Sequence, residues 1–412
     1  MNLAWISVGA LAAAIALSCF SPINVGVLSI ALAWIIGVYL GGMTVKQVAA
    51  GFPVDLFLTL AGVTLLFAQA QVNGTLEKIS LHAVRLCRGN AALLPLMFFL
   101  LAAALASMGP GNIATAALLA PAAMAAAGRT RIPSFLMAIM VGNGANSGSL
   151  SPIAPTGIIV NGLMERIGLR DFELTNWWNN FAAHAAVALL GYLLFGGLSL
   201  FRRHSVDSIA DTEAPPLDKR QWITLATIAG LVIGALFFRI NIGMAAFAGA
   251  AALALLRASD DGEAIRKMPW STLLMVSGVT VLIGILEKTE GVELFAGLIA
   301  RISTRESATA VVAFVTGLVS VYSSTSGVVL PAFLPTIPAL IQKLGGGDAL
   351  ALASSMNVGG HLVDVSPLST IGALCIAGVT SYEESRLLFY KLLIWGLSMS
   401  IVGALFSYVF FR

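Results

Sequence analysis

The chain has 412 residues, of which 58% are hydrophobic and 10% are charged, and its formal net charge is +3. Soluble domains carry roughly 25% charged residues, so this composition excludes a water-soluble fold and predicts an all-α polytopic membrane protein. The small net charge argues against nucleic acid as a partner. The three cysteines lie far apart without a CxxC motif, so neither a disulfide framework nor a cysteine metal site is indicated.

The first half contains five apolar segments that we predict as membrane spans, since a spanning helix takes about 20 residues. They are residues 3–19, 25–40, 54–70, 133–166 and 178–201. The amphipathic stretch 75–88 is predicted to lie in the membrane interface. The apolar stretch 91–127 is too long for one span and too short for two, and Gly and Pro at residues 109–111 break its middle. We therefore predict a re-entrant helical hairpin there.

A polar linker at residues 202–220 contains two adjacent prolines and separates the halves. The second half repeats the order of the first. Its predicted spans are 221–238, 243–256, 269–286, 349–376 and 387–411, with an amphipathic piece at 287–306 and a second hairpin at 307–342. The spans 133–166 and 349–376 each contain polar residues near the middle, so we expect one broken span in each half.

Short sequence matches relate the two halves. Residues 61–64 match 277–280 at an offset of 216, and residues 151–154 match 366–369 at an offset of 215. Ordered matches at a near-constant offset indicate a duplicated unit. Each unit has five spans, an odd number, so the two units must have opposite orientations in the membrane. We predict two inverted repeats, residues 1–201 and 221–412, joined by a cytoplasmic linker, 202–220.

The basic residues indicate the orientation. With the linker inside, 14 of the 23 lysines and arginines fall on the inner side, as the positive-inside rule expects. Both termini then lie outside, and we assign the chain to a bacterial cytoplasmic (inner) membrane.

Four interruptions of apolar helices form the predicted binding site. They lie at residues 109–115, 142–157, 322–327 and 357–372. Non-helical backbone at membrane depth is tolerated only inside protein or against a water-filled cavity. Broken helices expose N–H groups that attract a carboxylate, and their carbonyl, Ser, Thr and Asn oxygens suit a hard cation such as sodium. Packing kinks, or plain loops between short spans, are the alternative interpretation.

Asp364 lies between two valines, and acids at membrane depth are costly and usually functional. It is predicted as a cation ligand or a proton-coupling acid, with a helix cap as the structural alternative. His361 is either a titrating group or a packed histidine. Asp55 is interpreted as a helix-terminal residue, and His82, His184 and His204 as peripheral.

The interruptions carry a resemblance to a known family. The sequence GNIATAALLAP at residues 111–121 resembles the hairpin-tip motif of the divalent-anion:sodium symporter family, in the wider ion transporter superfamily. That motif reads Ser-Asn-Thr, then small residues, then Leu-Leu-Pro. The sequence FPVDLF at residues 52–57 is similar to malonate-type dicarboxylate carriers of bacteria. The resemblance implies a homodimer with a scaffold region, a moving transport region, and substrate and sodium sites at the hairpin tips.

The resemblance also implies site residues. Gly111 and Ile113 stand where Ser and Thr are expected, Asn112 is retained, and residues 321–323 of the second half depart from the motif. The implied sodium ligands are Gly111, Asn112, Ser147, Ser323, Ser326, Asp364 and Ser366. The implied substrate-binding residues are Asn112, Ile113, Ser149, Ser151, Ser324, Thr325, Ser369 and Thr370.

Enzyme signatures are absent from the sequence: it has no HExxH, Walker or Rossmann motif. Without an ATP site, uphill transport must use an ion gradient. We therefore expect a secondary transporter, without a cofactor, that imports a small dicarboxylate (malonate or a C4-dicarboxylate) with sodium as coupling ion by an elevator-type mechanism. The alternatives are a proton-coupled or exporting organic anion carrier, and an anion channel. The sequence leaves open which dicarboxylate is carried.

Overall fold

A computed structural model describes residues 2–20, 23–85, 90–201, 215–238, 240–379 and 381–411. These residues form helices joined by turns, and the prediction of an all-helical, multi-span membrane protein is confirmed. Six helices in the described part are long and apolar enough to cross a membrane, and shorter apolar helices accompany them. The six are Val54–Val72, Gly111–Thr130, Trp270–Lys288, Thr325–Leu344, Ala349–Ala377 and Tyr382–Phe410.

The first half begins with α1 (Leu3–Phe20), α2 (Val25–Trp34, continued by the π-helical segment Ile35–Leu40), α3 (Val45–Ala49), α4 (Val54–Val72) and α5 (Thr75–Arg85). It continues with α6 (Leu93–Met108), α7 (Gly111–Thr130), α8 (Ser134–Gly148), α9 (Pro155–Arg166), α10 (Glu173–Leu194) and α11 (Gly197–Leu200). Helix α5 occupies the predicted interfacial stretch, of which residues 86–88 lie outside the described part. Most of the predicted linker, residues 202–214, also lies outside it.

The second half begins with α12 (Lys219–Phe238), α13 (Ile242–Leu255), α14 (Asp261–Lys267), α15 (Trp270–Lys288), α16 (Gly291–Ala300) and α17 (Ala308–Ser320). A composite helix follows, made of the π-helical segment Thr325–Val329, α18 (Leu330–Phe333), the 3-10 segment Leu334–Thr336 and α19 (Ile337–Leu344). The chain ends with α20 (Ala349–Leu362), the 3-10 turn Val363–Val365, α21 (Thr370–Ala377) and α22 (Tyr382–Phe410).

Both apolar stretches predicted as hairpins fold as two helical arms joined by a short break. The first hairpin consists of α6 and α7, and only Gly109 and Pro110 separate them. Gly109 has a φ of +136°, and a Cβ there would lie 1.8 Å from the Phe67 ring, so this turn requires glycine. The second hairpin consists of α17 and the composite helix that starts at Thr325, with residues 321–324 as its tip.

The two broken spans are also present, but their interruptions are shorter than predicted. The first broken helix is α8 and α9, and only residues 149–154 are non-helical; the second is α20 and α21, with residues 366–369 between the 3-10 turn and α21. Gly144 and Gly359, which we expected in unwound backbone, are helical. A Cβ on Gly144 would lie 2.4 Å from the Phe99 carbonyl oxygen, and one on Gly359 would lie 2.3 Å from that of Ala313. These glycines therefore permit close helix packing instead of unwinding.

The buried apolar residues form two clusters. One cluster joins α1, α2, α4, α13, α15 and α16 with α9 and the composite helix of the second hairpin. The other joins the first hairpin, α8, α10, the end of α20 and α22. Residues at the interruptions and hairpin tips belong to both clusters, Leu150 and Val328 to the first and Val321 and Val365 to the second.

Candidate functional site

A cavity of about 250 Å³ lies where the two hairpin tips meet the second broken helix. We call it the central cavity. Nine of the residues predicted from the sequence line it, namely Asn112, Ile113, Ser323, Ser324, Thr325, Ser326, Asp364, Ser369 and Thr370. They come from three separate places in the chain, and the fold brings them together as the paired interruptions suggested.

Asp364 and Thr325 connect the second hairpin tip to the second broken helix. The Thr325 hydroxyl lies 2.7 Å from Oδ1 of Asp364 and 3.3 Å from the Gly360 carbonyl oxygen. Asp364 is partly buried in the 3-10 turn after α20. Its side chain does not act as the helix cap that we considered as an alternative; Ser369 caps α21 by accepting a hydrogen bond from the Gly372 N–H at 3.5 Å.

Helix N-termini face the central cavity. Ser324 accepts a hydrogen bond from the Gly327 N–H at 3.1 Å and so caps the composite helix of the second hairpin. Helix α21 starts at Thr370 and α7 starts at Gly111, and residues of both first turns line the cavity or its edge. The first N–H groups of a helix lack intrahelical partners, and the helix dipole adds partial positive charge there. The cavity is therefore suited to carboxylate groups.

The lining of the central cavity carries negative charge without a basic side chain to balance it, among the described residues. Among the described residues that line it, Asp364 is the one charged side chain, and none is Lys, Arg or His. An anion bound here must be held by neutral donors and helix N-termini. A second negative charge beside Asp364 requires a cation or a proton in the same place, because uncompensated buried charges are costly.

Five predicted residues lie outside the central cavity. Three hydroxyls of the first broken helix donate to main-chain carbonyls: Ser147 to Gly144, Ser149 to Asn146, and Ser151 to Ser107, each at 2.7 Å. Ser366 is fully buried and lies against Gly396, where an added Cβ would approach the Ser366 Cβ to 2.6 Å. Gly111 lines a neighbouring cavity. The structure therefore separates the first broken helix's serines from the cavity.

Sequence reasoning missed a buried amide pair. The Asn112 side-chain nitrogen donates to Oδ1 of Asn146 at 2.8 Å, which joins the first hairpin tip to the first broken helix. Asn180 donates to the Asn146 carbonyl at 2.8 Å, and the Asn146 amide reaches the His361 carbonyl at 3.4 Å. Asn146 and Asn180 are fully buried. Asn146 lies in the predicted interruption 142–157, where the expectation was unwound backbone, and Asn180 lies in the predicted span 178–201 and was not singled out.

Two of the three described histidines are buried. His184 was predicted to be peripheral, which is wrong: it is fully buried, and its Nδ1 lies 2.9 Å from Oδ1 of Asn143. In α10 the polar residues Asn176, Asn180 and His184 are buried, whereas Leu190 and Leu194 are exposed, so hydropathy did not indicate which face is buried. His361 is also fully buried, and its Nδ1 donates to the Asn357 carbonyl at 2.8 Å. His82 is exposed as predicted, and His204 lies outside the described residues.

Asp55 lies in the first turn of α4, as predicted for a helix-terminal residue. In the part of the chain that the structure describes, no group of three or more His, Cys, Asp or Glu residues could hold a metal ion. Any cation held at the central cavity would therefore be bound by hydroxyl, amide and carbonyl oxygens together with Asp364. Such oxygen ligands suit hard ions.

Comparison with known proteins relates the chain to membrane carriers. Residues 1–149 match the family described as the N-terminus of the dicarboxylate carrier protein MatC. Two uncharacterized transporters of Mycobacterium tuberculosis are each 24% identical to the chain. One, Rv2684, aligns over 79% of this chain and 79% of its own length, and the other, Rv2685, over 88% and 86%. The YdaH transporter of Alcanivorax borkumensis has a similar fold, with a TM-score of 0.61, 17% identity, and coverage of 90% of this chain and 88% of that one.

The chain is a transporter and not an enzyme. It is a multi-pass membrane protein related to bacterial transporters, and its fold is similar to that of the solved structure over 90% of the chain. The segment that matches the family, residues 1–149, contains α1 to α8. It therefore includes the first hairpin, with Asn112 at its tip.

A second cavity of about 270 Å³ lies on the other side of the first hairpin tip. Phe67 and Ile159 contribute to its largely apolar lining, and it shares Asn112, Ile113 and Ser326 with the central cavity. In this transporter the tip of the first hairpin therefore contributes to the lining of both cavities.

Proposed function

We propose that the chain is a secondary active transporter that imports a small dicarboxylate, malonate or a C4-dicarboxylate, together with sodium. The observation that carries the proposal is the central cavity, in which helix N-termini and hydroxyls surround a single acid, Asp364, with no basic side chain among the described lining residues.

Two features support a dicarboxylate as substrate. The first is the match of residues 1–149 to the family described as the MatC dicarboxylate carrier N-terminus. The second is the presence of two capped helix starts at the cavity, one at Ser324 and one at Ser369. Each start can bind one carboxylate through its first N–H groups. Asn112, Ile113, Thr325 and Thr370 complete the proposed substrate contacts.

The charge in the cavity supports coupling to a cation. Two substrate carboxylates and Asp364 together would place three negative charges in a space of about 250 Å³. Such a cluster is strongly unfavourable unless a cation binds with the substrate. The proposed sodium ligands near it are Asp364, Ser323, Ser326 and Ser366. In the first half the proposed ligands are Gly111, Asn112 and Ser147, whose hydroxyl and carbonyl oxygens suit a hard ion.

A pair of inverted repeats, residues 1–201 and 221–412 joined by a cytoplasmic linker, is part of the proposal. Matching positions in the halves make matching contacts. A Cβ on Gly157 would lie 1.9 Å from the Ser151 carbonyl oxygen, and one on Gly372 would lie 2.1 Å from that of Ser366. Gly157 and Gly372 are 215 residues apart in the sequence. The same separation holds for Ser151 and Ser366 and for Gly144 and Gly359.

The helix pairs around the hairpins support the same symmetry. Helix α2 crosses α15 at Gly26 and Gly278, where a Cβ on Gly278 would lie 2.1 Å from the Gly26 carbonyl oxygen. Helix α13 crosses α4 at Gly243 and Gly62, where a Cβ on Gly62 would lie 2.4 Å from the Gly243 carbonyl oxygen. The second contact repeats the first with the partners exchanged between halves, as an inverted repeat requires.

The two apolar clusters support an elevator-type mechanism. The cluster around the first hairpin, α8, α10 and α22 would belong to the moving transport region, and the cluster around α1, α2, α4 and α15 to the scaffold. We further propose a homodimer, in a bacterial inner membrane, with the linker in the cytoplasm.

Proton coupling is the second candidate, because the Thr325–Asp364 contact would also suit an acid that binds and releases a proton. The test is uptake of radiolabelled malonate and succinate into proteoliposomes, with and without an inward sodium gradient at fixed pH. We expect uptake to require sodium. Uptake driven by a pH gradient without sodium would favour the proton-coupled carrier, and single-channel currents without saturable uptake would favour an anion channel.

A further inference from the structure

Asn146, near the C-terminal end of α8, forms hydrogen bonds to both halves of the chain. Its side-chain oxygen accepts from the Asn112 side-chain nitrogen at 2.8 Å, and its side-chain nitrogen donates to the His361 carbonyl oxygen at 3.4 Å. Asn112 belongs to the first hairpin tip and His361 to the second broken helix. Asn146 is fully buried and lines neither the central cavity nor the second cavity. It can therefore affect a molecule in the central cavity only through its neighbours.

Asn146 and His361 occupy corresponding positions in the two halves. They are 215 residues apart, the same separation as between Gly144 and Gly359. Residues that a two-fold axis exchanges can contact each other only close to that axis. In the proposed pair of inverted repeats, the contact between Asn146 and His361 therefore lies where the two halves meet.

The hydrogen-bonding groups along this contact have only one consistent order. A main-chain carbonyl only accepts hydrogen bonds, so Asn146 must direct its side-chain nitrogen to His361. The Asn146 oxygen is then the group that meets Asn112, and Asn112 must direct its own nitrogen to Asn146. The Asn112 side-chain oxygen accepts from the Ile113 N–H at 3.0 Å and keeps a second lone pair.

The orientation of the Asn112 amide decides which ligand it can hold. An amide oxygen can bind a hard cation such as sodium, whereas the amide nitrogen carries two hydrogens and has no lone pair to offer. Asn112 contributes to the lining of the central cavity. Because Asn146 occupies the nitrogen, the oxygen of Asn112 is the end that remains for a cation.

We infer that Asn146 is a positioning residue of the proposed transport site, which fixes the orientation of the Asn112 amide and thereby sets the affinity for sodium. The inference rests on the proposed function, sodium-coupled uptake of a dicarboxylate. The orientation originates at the His361 carbonyl, so sodium binding by the first half depends on a main-chain group of the second half.

The test measures the sodium concentration that gives half-maximal malonate uptake into proteoliposomes. Asn146→Leu keeps a side chain of similar size and removes both hydrogen bonds. It should raise that concentration about three- to tenfold, the size expected for the loss of one hydrogen bond. If Asn146→Leu does not fold, Asn146→Ser serves, because one short hydroxyl cannot hold both Asn112 and His361, and the same direction is expected.

A matched control separates positioning from stability. Asn143, one turn earlier on α8, is also fully buried; its side chain donates to the Ile139 carbonyl at 2.8 Å and lies 2.9 Å from His184 Nδ1. Asn143→Leu should lower the melting temperature in detergent, as Asn146→Leu does, but leave the half-maximal sodium concentration unchanged. Equal increases of that concentration in both variants would reduce Asn146 to a structural role and overturn the inference.

A double variant tests whether Asn146 acts through Asn112. In the Asn112→Ala background no amide remains to be oriented, so adding Asn146→Leu should not raise the half-maximal sodium concentration further. Additive increases would overturn the inference.

The proposed function can fail separately. If native uptake of malonate and succinate is absent or independent of sodium, the proposed function fails and the inference fails with it. If native uptake requires sodium but Asn146→Leu keeps the native half-maximal sodium concentration, only the inference fails.

Discussion

The two hairpin tips meet their broken helices through different chemistry. In the first half, a neutral amide pair, Asn112 and Asn146, makes the connection, and the serine hydroxyls nearby donate to main-chain carbonyls. In the second half, the Thr325 hydroxyl donates to the Asp364 carboxylate at the edge of the central cavity. The two halves have similar backbone shapes. The contact in the first half is neutral and buried, whereas the contact in the second half includes a charged group at the cavity.

This difference assigns different tasks to the two halves of the proposed transporter. A buried amide pair is satisfied within the protein and holds the first tip in place whether or not substrate is present. A carboxylate facing a cavity changes its energy strongly when an anion or a cation enters. The response to ions and substrate should therefore be largest for changes at Asp364, and smaller for changes at the neutral sodium ligands proposed in the first half.

The largest effect is expected at Asp364. Asp364→Asn keeps the size of the side chain and removes the charge, so malonate uptake should fall by about 100-fold, since contacts of a charged group contribute about 1.5–3 kcal/mol. The residual uptake should no longer respond to a sodium gradient. Uptake into proteoliposomes with and without sodium checks this. Asp55→Asn, in the first turn of α4, is the matched control and should change uptake less than twofold; sodium-stimulated uptake in Asp364→Asn would contradict the assignment.

The next largest effect is expected at the paired glycines that pack the broken helices on the hairpins. Gly144→Ala and Gly359→Ala should each destabilise the protein by about 1–3 kcal/mol, because the added methyl overlaps a neighbouring carbonyl. Thermal unfolding in detergent measures this. Gly128→Ala, where a Cβ would have nothing within 4 Å, is the control and should not lower the melting temperature. A marked difference between the two glycines would break the proposed correspondence of the halves.

A smaller effect is expected at the first tip. Asn112→Ala removes the donor to Asn146 and leaves a buried amide oxygen without its partner, at a cost of about 1–3 kcal/mol. Malonate uptake should fall about tenfold, and the concentration of sodium that gives half-maximal uptake should rise, because Asn112 is a proposed sodium ligand. The sodium dependence of uptake measures the second effect. An unchanged sodium requirement would contradict the sodium site proposed in the first half.

The smallest effects compare two serines. Ser324→Ala removes a cap at the cavity and should reduce uptake about fivefold, in line with a typical capping contribution of about 1 kcal/mol. Ser149→Ala should change uptake less than twofold, because its hydroxyl donates to the Asn146 carbonyl away from the cavity. Initial rates of malonate uptake measure both. An effect of Ser149→Ala as large as that of Ser324→Ala would indicate that the first broken helix approaches the substrate during transport.

Much of this architecture could be predicted from local sequence. The apolar segments, the glycine-proline turn of the first hairpin and the interruption at Ser366 all depend on residues close together in the chain, and the structure has helices and turns at each place. The lengths of the interruptions could not be predicted, because a glycine such as Gly144 is compatible both with unwound backbone and with close helix packing. Contact with Phe99, 45 residues earlier, decides between the two.

Some features of the protein and its candidate site could likewise be predicted from sequence, and others depended on the tertiary structure. Composition and hydropathy by themselves determined that the chain is a helical membrane protein, because lipid leaves backbone polar groups no other way to be satisfied. Sequence also identified the hairpin tips and Asp364 as candidates. Only the tertiary structure decided that Asn112 pairs with Asn146, that His184 is buried, and that both hairpin tips and the second broken helix line one cavity. These relations join residues distant in the chain, and side-chain packing, which no local pattern encodes, fixes them.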